Sequence, residues 1–128
     1  EGAKIFEQKL TKAVRTLTIA GKNVVLTADV PTLNFPPGKC LFMNKALARP
    51  QCSMDASILS DQEEYLSVFR KLDEIENVEV ILTRDFFCDA DDCYALRQDS
   101  LLYADHHHLN SVGSDLFVEF LAKRSEYF

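Results

Sequence analysis

The stretch NVVLTA, residues 23–28, sets the fold class of this 128-residue chain. It is a short, mostly apolar run rich in β-branched residues, and it follows closely on a helical pattern over residues 3–20. Gly21 lies between the two, and glycine is a common residue just past the end of a helix. A continuous apolar strand straight after a helix is typical of a strand buried in a parallel sheet.

The order of helix and strand recurs along the chain. Residues 61–75 carry an apolar stripe at helical spacing, with Ser60 or Asp61 as the expected N-cap, and VEVIL at 78–82 follows as a second strand. A last helix is expected over residues 111–124. Five of its apolar side chains are expected to face inward: Val112, Leu116, Phe117, Phe120 and Leu121. This alternation predicts an α/β class, with helices packed on parallel strands.

Two stretches between these elements are expected to be loops. Residues 32–60 carry three prolines and two cysteines, and residues 83–100 carry two further cysteines. Loops of this length inside compact domains are usually functional or crosslinked. The pattern gives two clear strands, whereas a doubly wound sheet commonly has about four or more. We therefore expect the sheet to be completed by the rest of a larger domain or by a second copy of the chain.

Composition and charge exclude other classes of protein. Apolar residues make up 47% of the chain and charged residues 27%, which is ordinary for a globular domain and argues against a disordered chain. The 14 basic and 20 acidic residues give a net charge of −6, so a nucleic-acid partner is not expected. No apolar run reaches the roughly 20 residues that span a bilayer.

The four cysteines form two local pairs in the sequence. Cys40 and Cys52 bracket one expected loop segment, and Cys88 and Cys93 bracket another. Neither spacing is the C-x-x-C of zinc or thioredoxin sites. Two local pairs with no cysteine left over predict two disulfides and an oxidising compartment. The alternative is four reduced, half-buried thiols.

The densest group of reactive side chains is LYADHHHLNSVG at residues 102–113. It lies between a short extended piece and a helix N-terminus, and in open α/β sheets ligands bind at the carboxyl ends of the strands. Asp105 and His108 are three residues apart in a turn, so the carboxylate can orient the imidazole. A base needs this arrangement before it can take a proton from a serine hydroxyl.

Two other interpretations of this region stay open. A metal site at His106, His107 and His108 is disfavoured, because the side chains of consecutive residues diverge instead of converging on one ion. The loop is otherwise a solvated surface turn in which His108 caps the last helix. The aspartates of residues 85–92 are expected to form a solvated acidic loop, since their spacing does not match a calcium-binding EF-hand.

These motifs together resemble the SGNH (GDSL-type) hydrolases. Asp-x-x-His-Leu at 105–109, with Leu-Tyr before it and a glycine near the start of the last helix, is similar to the final sequence block of that family. GKNVVL at 21–26, the Val-Pro at 30–31 and Cys88-x-x-x-x-Cys93 are similar to a subgroup. Its members are fused to multi-pass membrane acyltransferases that O-acetylate bacterial surface polysaccharides. The resemblance covers nearly the whole chain.

The resemblance implies a fold, a site and a setting. The fold would be the C-terminal half of a flavodoxin-like, three-layer SGNH domain, with residues 1–128 as one partial domain. Asp105 would be the acid and His108 the general base of a Ser-His-Asp triad that acts on acetyl esters of carbohydrate, without metal or organic cofactor. The domain would be periplasmic, tethered to the inner membrane through the acyltransferase portion. Asn110 replaces the usual serine of this block, and either side chain can cap the helix.

The family's nucleophile is missing from this chain. The sequence has no Gly-Asp-Ser, and its 4 glycines offer no nucleophile turn or oxyanion hole. We therefore expect this chain alone to be inactive in acyl transfer and the parent domain to be active. The alternative is a non-catalytic carbohydrate-binding or interaction module on the same scaffold. An incomplete sheet also exposes an unpaired edge, which predicts a homodimer formed by strand pairing.

Overall fold

Helices and short strands alternate through residues 1–47 and 52–128, the parts of the chain that the computed structural model describes. Their bounds in chain order are α1 Gly2–Ile19, β1 Val24–Thr27, α2 Pro37–Leu47, β2 Ser53–Asp55, a 3₁₀-helix Ala56–Gln62, α3 Glu63–Leu72, β3 Val78–Ile81, α4 Arg84–Phe87, β4 Asp92–Tyr94, β5 Leu96–Arg97, β6 Ser100–Leu101 and α5 Ser111–Arg124. Within these residues the strands pair two by two: β1 with β3, β2 with β4 and β5 with β6.

The two predicted strands form a parallel pair. β1 and β3 run in register from Val24 opposite Val78 to Thr27 opposite Ile81. Side chains alternate between the two faces of a strand, and α1 and α3 cover one face. Five buried side chains fill the core between them: Val14, Val24, Val68, Leu72 and Val78. The prediction of an α/β class is confirmed for this parallel pair and the helices packed on it. The two other sheets are antiparallel.

A second core packs α5 against α4, the short strands and the segments around Leu33 and Cys52. Phe120 and Phe117 of α5 lie 5.2 and 5.7 Å from Phe86, measured between ring centroids. The buried members of this second core include Phe86, Phe87, Leu102, Tyr103, Cys52 and Cys93. The expected inward position of Val112 is wrong, because this side chain is 42% exposed. Gly113, the next residue, faces the core in its place.

The expectation of a continuous loop over residues 32–60 is wrong. This stretch contains α2, β2 and most of the 3₁₀-helix. Pro37 is the first residue of α2, the helical position where proline is favoured because its missing N–H has no intrahelical role there. The expected cap of α3 at Ser60 or Asp61 is also wrong. The 3₁₀-helix runs directly into α3, and Gln62 is the N-cap without a side-chain hydrogen bond.

The expected loop over residues 83–100 also contains short elements. They are α4, β4, β5 and the first residue of β6, each too short to show a period in the sequence. Gln98 and Asp99 form the turn of the β5–β6 hairpin, with φ of 49° and 62°. Two-residue hairpin turns with positive φ favour Asn-Gly, which this chain lacks, so the usual sequence signal of a hairpin is absent.

Both local cysteine pairs form disulfides. Cys40 bonds Cys52 and Cys88 bonds Cys93, which accounts for all four cysteines. Cys52 and Cys93 lie in the second core, at 2% and 1% exposure. Disulfides are typical of oxidising compartments outside the cytosol. Among the described helices, none has the length and apolarity that crossing a bilayer requires.

Candidate active site

The chain segments that follow β1 and β3 are tied together at the carboxyl edge of the parallel pair. Thr83, just after β3, donates a hydrogen bond from Oγ1 to the backbone oxygen of Asp29, just after β1. Tyr65 of α3 accepts a hydrogen bond at its hydroxyl from the Asp29 N–H, at 3.0 Å. The segment after β1 therefore lies fixed across this edge, where open α/β sheets place their ligands.

Residues 102–110 form the histidine loop. This loop binds to the segment after β1 through hydrogen bonds to the backbone atoms of that segment. The Leu33 N–H donates to the His106 oxygen at 2.7 Å, and His106 Nδ1 lies 3.1 Å from the Leu33 oxygen. Because a carbonyl oxygen only accepts, His106 Nδ1 must carry the proton in this contact. Tyr103 donates from its hydroxyl to the Pro31 oxygen at 3.0 Å. Burial raises the pKa of the Tyr103 phenol well above its usual value, and the charge of Asp29 adds to this rise.

Asp105 and His108 meet through a short hydrogen bond. His108 Nδ1 lies 2.8 Å from Asp105 Oδ2. Asp105 Oδ1 accepts the backbone N–H groups of His107 and His108, both at 2.9 Å, so the carboxylate is fixed from both sides. Hydrogen bonds hold the pKa of the Asp105 carboxyl far below its usual range. The largest effect comes from the His107 N–H, and the next from the His108 side chain. Asp105 is therefore ionised at neutral pH.

This geometry determines what the imidazole can do. A carboxylate only accepts hydrogen bonds, so His108 donates to Asp105 from Nδ1. In the neutral ring, Nε2 then carries the lone pair and can accept a proton. The side chains of His108 and Asp105 are 66% and 49% exposed. The imidazole is therefore open to an approaching hydroxyl group. The pair has the geometry of the acid and base in a serine hydrolase triad.

Asn110 anchors the loop to α5 and to the hairpin. Its Oδ1 accepts the Gly113 N–H at 2.8 Å, which makes it the N-cap of α5. Its Nδ2 donates to the Leu101 oxygen at 2.7 Å, and its backbone N–H donates to the Leu102 oxygen at 3.0 Å. The interpretation in which His108 caps this helix is therefore wrong.

The three histidines do not behave alike. His106 contacts Leu33, whereas His107 and His108 lie side by side with ring centroids 4.1 Å apart. His107 Nδ1 is 3.7 Å from Asp105 Oδ1. Asp105, His107 and His108 each offer one metal-ligating atom, and these atoms lie within 4.8 Å of one another. The expected divergence of consecutive histidine side chains is therefore wrong for His107 and His108.

In the acidic loop of residues 85–92, the Asp89 carboxylate accepts hydrogen bonds from residues nearby in the sequence. Asp89 accepts the N–H groups of Asp91 and Asp92 at 2.9 and 2.8 Å, and the Tyr94 hydroxyl at 2.7 Å. These hydrogen bonds lower the pKa of the Asp89 carboxyl, and the one from the Asp92 N–H has the largest effect. The same hydroxyl contact raises the pKa of Tyr94 to about 12. In the described residues this loop forms no ligand cluster of metal-binding geometry.

The groups that position the histidine loop were not predicted from the sequence. They are the backbone atoms of Pro31 and Leu33, the Tyr103 hydroxyl and the Nδ1 of His106. Backbone acceptors carry no signal in the sequence, because any residue supplies them. The Val-Pro at 30–31 marked the right segment, but it did not indicate that the segment supports the histidine loop.

The fold and the site define an α/β domain with a carboxylate–imidazole pair at the carboxyl edge of its parallel strands. The family model of the SGNH domain that is fused to AT3 domains matches residues 2–123, and the chain belongs to this family. The resemblance inferred from the motifs is thereby confirmed. The family places the chain among domains that accompany AT3 acyltransferase domains. No curated protein and no solved structure matches the chain significantly.

Proposed function

We propose that this chain is the C-terminal half of an extracytoplasmic SGNH-type acyltransferase or esterase domain, in which Asp105 and His108 complete a Ser-His-Asp triad. The 2.8 Å contact between His108 Nδ1 and Asp105 Oδ2 carries the proposal. The two backbone N–H groups that fix the carboxylate support it, because a triad acid must hold one orientation to set the tautomer of its histidine.

The proposed mechanism follows from the free nitrogen of His108. A serine hydroxyl from the upstream part of the domain attacks the acetyl carbonyl, and His108 Nε2 takes the hydroxyl proton. Asp105 stays ionised and stabilises the imidazolium. Collapse of the tetrahedral intermediate passes that proton to the leaving oxygen and leaves an acetyl-serine. A carbohydrate hydroxyl or water then attacks this ester, with His108 again moving the proton.

The setting is inferred from the family and the disulfides. Fusion to AT3 domains supports a membrane acyltransferase portion that would deliver the acetyl group. The two disulfides support a periplasmic location, tethered to the inner membrane through that portion. The acceptor would be a cell-surface carbohydrate. This chemistry requires neither metal nor organic cofactor.

A partial fold would account for the missing nucleophile. We infer that residues 1–128 hold two parallel strands of a flavodoxin-like, three-layer domain whose remaining strands lie upstream. β1 pairs with β3 on one side only, among the strands that the structure describes. An upstream strand on its other side would bring the serine and the oxyanion hole to the carboxyl edge where Asp105 lies.

Release of acetate from an activated acetyl ester tests this function. The 128-residue chain alone is expected to show no release above background, because it lacks the family's Gly-Asp-Ser nucleophile. A longer chain that adds the upstream half of the domain is expected to release acetate. A longer chain that folds correctly and releases none would overturn the proposal and favour a non-catalytic carbohydrate-binding module.

The free edge of β1 also predicts self-association of the isolated chain. The Val24 N–H donates to Asn77, beside β3, at 2.9 Å. Because N–H groups alternate sides along a strand, those of Val25 and Thr27 point to the free edge. A homodimer would form by pairing two such edges, and light scattering across concentrations should detect it.

Thr27→Pro provides the matched test of that edge. Proline removes one N–H from the free edge and none from the β1–β3 pair, so the fold should persist while the dimer weakens. A chain that is monomeric at every concentration would contradict the dimer. A dimer unaffected by Thr27→Pro would place its interface elsewhere.

A further inference from the structure

We propose that Asp105, His107 and His108 bind a divalent transition-metal ion such as Zn²⁺. The three residues each supply one ligating atom, and these atoms lie within 4.8 Å of one another. Zinc bonds to nitrogen and oxygen are about 2.0–2.2 Å long, so ligand atoms around one tetrahedral ion lie roughly 3.4 Å apart. Closing on an ion therefore changes the separations of these atoms by about 1.4 Å at most, which rotations of the exposed side chains can supply.

The loop already holds one ligand in place. Asp105 Oδ1 is fixed by two backbone N–H groups at 2.9 Å, and His107 Nδ1 lies 3.7 Å from the same oxygen. The imidazoles of His107 and His108 lie next to each other, 4.1 Å between centroids. Their side chains are 55% and 66% exposed, so both rings can rotate without disturbing a core.

The donor set determines the class of ion. Two imidazoles and one carboxylate suit zinc, nickel and copper, whereas calcium and magnesium prefer all-oxygen sites. Three protein ligands leave at least one coordination position open. We therefore expect Zn²⁺ to bind and Ca²⁺ and Mg²⁺ not to bind at these residues.

Metal binding and base chemistry would exclude each other at His108. The ligating atoms of the two histidines that lie near the carboxylate are His107 Nδ1 and His108 Nδ1, at 3.7 and 2.8 Å from oxygens of Asp105. A metal ion on Nδ1 of His108 would displace the proton that this atom donates to Asp105, so the pair would lose the hydrogen bond that orients His108 as a base. This consequence rests on the proposed function, whereas the metal site itself does not. Zinc would then act as a reversible inhibitor of the complete domain.

His106 provides a matched control for the metal site. It is the same residue type in the same loop, but its Nδ1 contacts the Leu33 oxygen at 3.1 Å, outside the cluster. His106→Ala removes that contact and keeps the backbone hydrogen bond from the Leu33 N–H to the oxygen of residue 106, at 2.7 Å, which still holds the loop. The comparison of His107→Ala with His106→Ala therefore separates binding by this cluster from nonspecific binding by a histidine-rich loop.

Isothermal titration of ZnCl₂ into the untagged 128-residue chain tests the proposal. One Zn²⁺ per chain is expected, with affinity reduced about tenfold or more in His107→Ala and in Asp105→Asn, and little changed in His106→Ala. Circular dichroism of each variant checks that it folds. Absence of binding at millimolar zinc, or equal losses in His106→Ala and His107→Ala, would overturn the site.

The outcome is distinguishable from failure of the proposed function. Zinc binding is measured on the 128-residue chain without any substrate, so it does not depend on the serine. If the longer chain releases no acetate but the zinc titration succeeds, the metal site stands and the triad fails. If acetate is released and zinc does not bind, the triad stands and the metal site fails.

Discussion

Replacing His108 with Ala in the complete domain is expected to reduce kcat for acetate release by about 10⁴- to 10⁶-fold. The reason is that the serine would lose the base that takes its proton, while the rest of the triad cannot compensate. The change should fall on kcat more than on KM, because proton transfer occurs in the transition state. Steady-state kinetics on an activated acetyl ester measure both quantities.

Two controls separate a base from a structural role of His108. Added imidazole should restore part of the activity of His108→Ala, since a free base can occupy the vacated space. Asp105→Asn should lower kcat by about 10³- to 10⁴-fold, because an amide no longer selects the Nδ1–H tautomer of His108. Full activity in His108→Ala would exclude the triad. A loss that follows unfolding of the variant would identify a structural effect.

Long periodic segments were predictable from the sequence. α1, α3 and α5 span several turns each, and their apolar spacing, together with the β-branched runs of β1 and β3, fixed their type and nearly fixed their bounds. The short elements of residues 32–60 and 83–100 were not predictable. A strand of two or three residues shows no period, and its pairing depends on partners distant in the sequence.

The site was predictable only where its contacts are local. The contact between Asp105 and His108 follows from a spacing of three residues in a turn. The contacts of the loop with Pro31 and Leu33 join positions more than 70 residues apart, at separations of 72 and 73. They use backbone oxygens, which leave no trace in the sequence. The proximity of His107 to His108 depends on the same turn, in which Asp105 caps two successive N–H groups.

Gly113→Ala is expected to lower the free energy of unfolding by on the order of 3 kcal/mol. A Cβ on Gly113 would overlap the Leu102 backbone oxygen and lie 2.8 Å from the Leu102 carbonyl carbon. Both atoms belong to the backbone, so no flexible side chain can move aside. Helix α5 must shift away from Leu102, which weakens the hydrogen bond from the Asn110 N–H to the same oxygen.

A decrease in the free energy of unfolding on Gly113→Ala would identify the close contact with Leu102, because the opposite sign is usual for this substitution. Gly→Ala inside a helix ordinarily stabilises it, by roughly 0.5–1 kcal/mol. Gly38 in α2 is the matched control, because no described atom lies within 4 Å of a Cβ built there. Gly38→Ala should therefore leave the free energy of unfolding unchanged or raise it. Denaturant unfolding of the two variants measures the difference, and equal effects would contradict the close contact with Leu102. Because Asn110 joins α5 to the histidine loop, Gly113→Ala should also shift the NMR signals of Asp105 and His108, whereas Gly38→Ala should not.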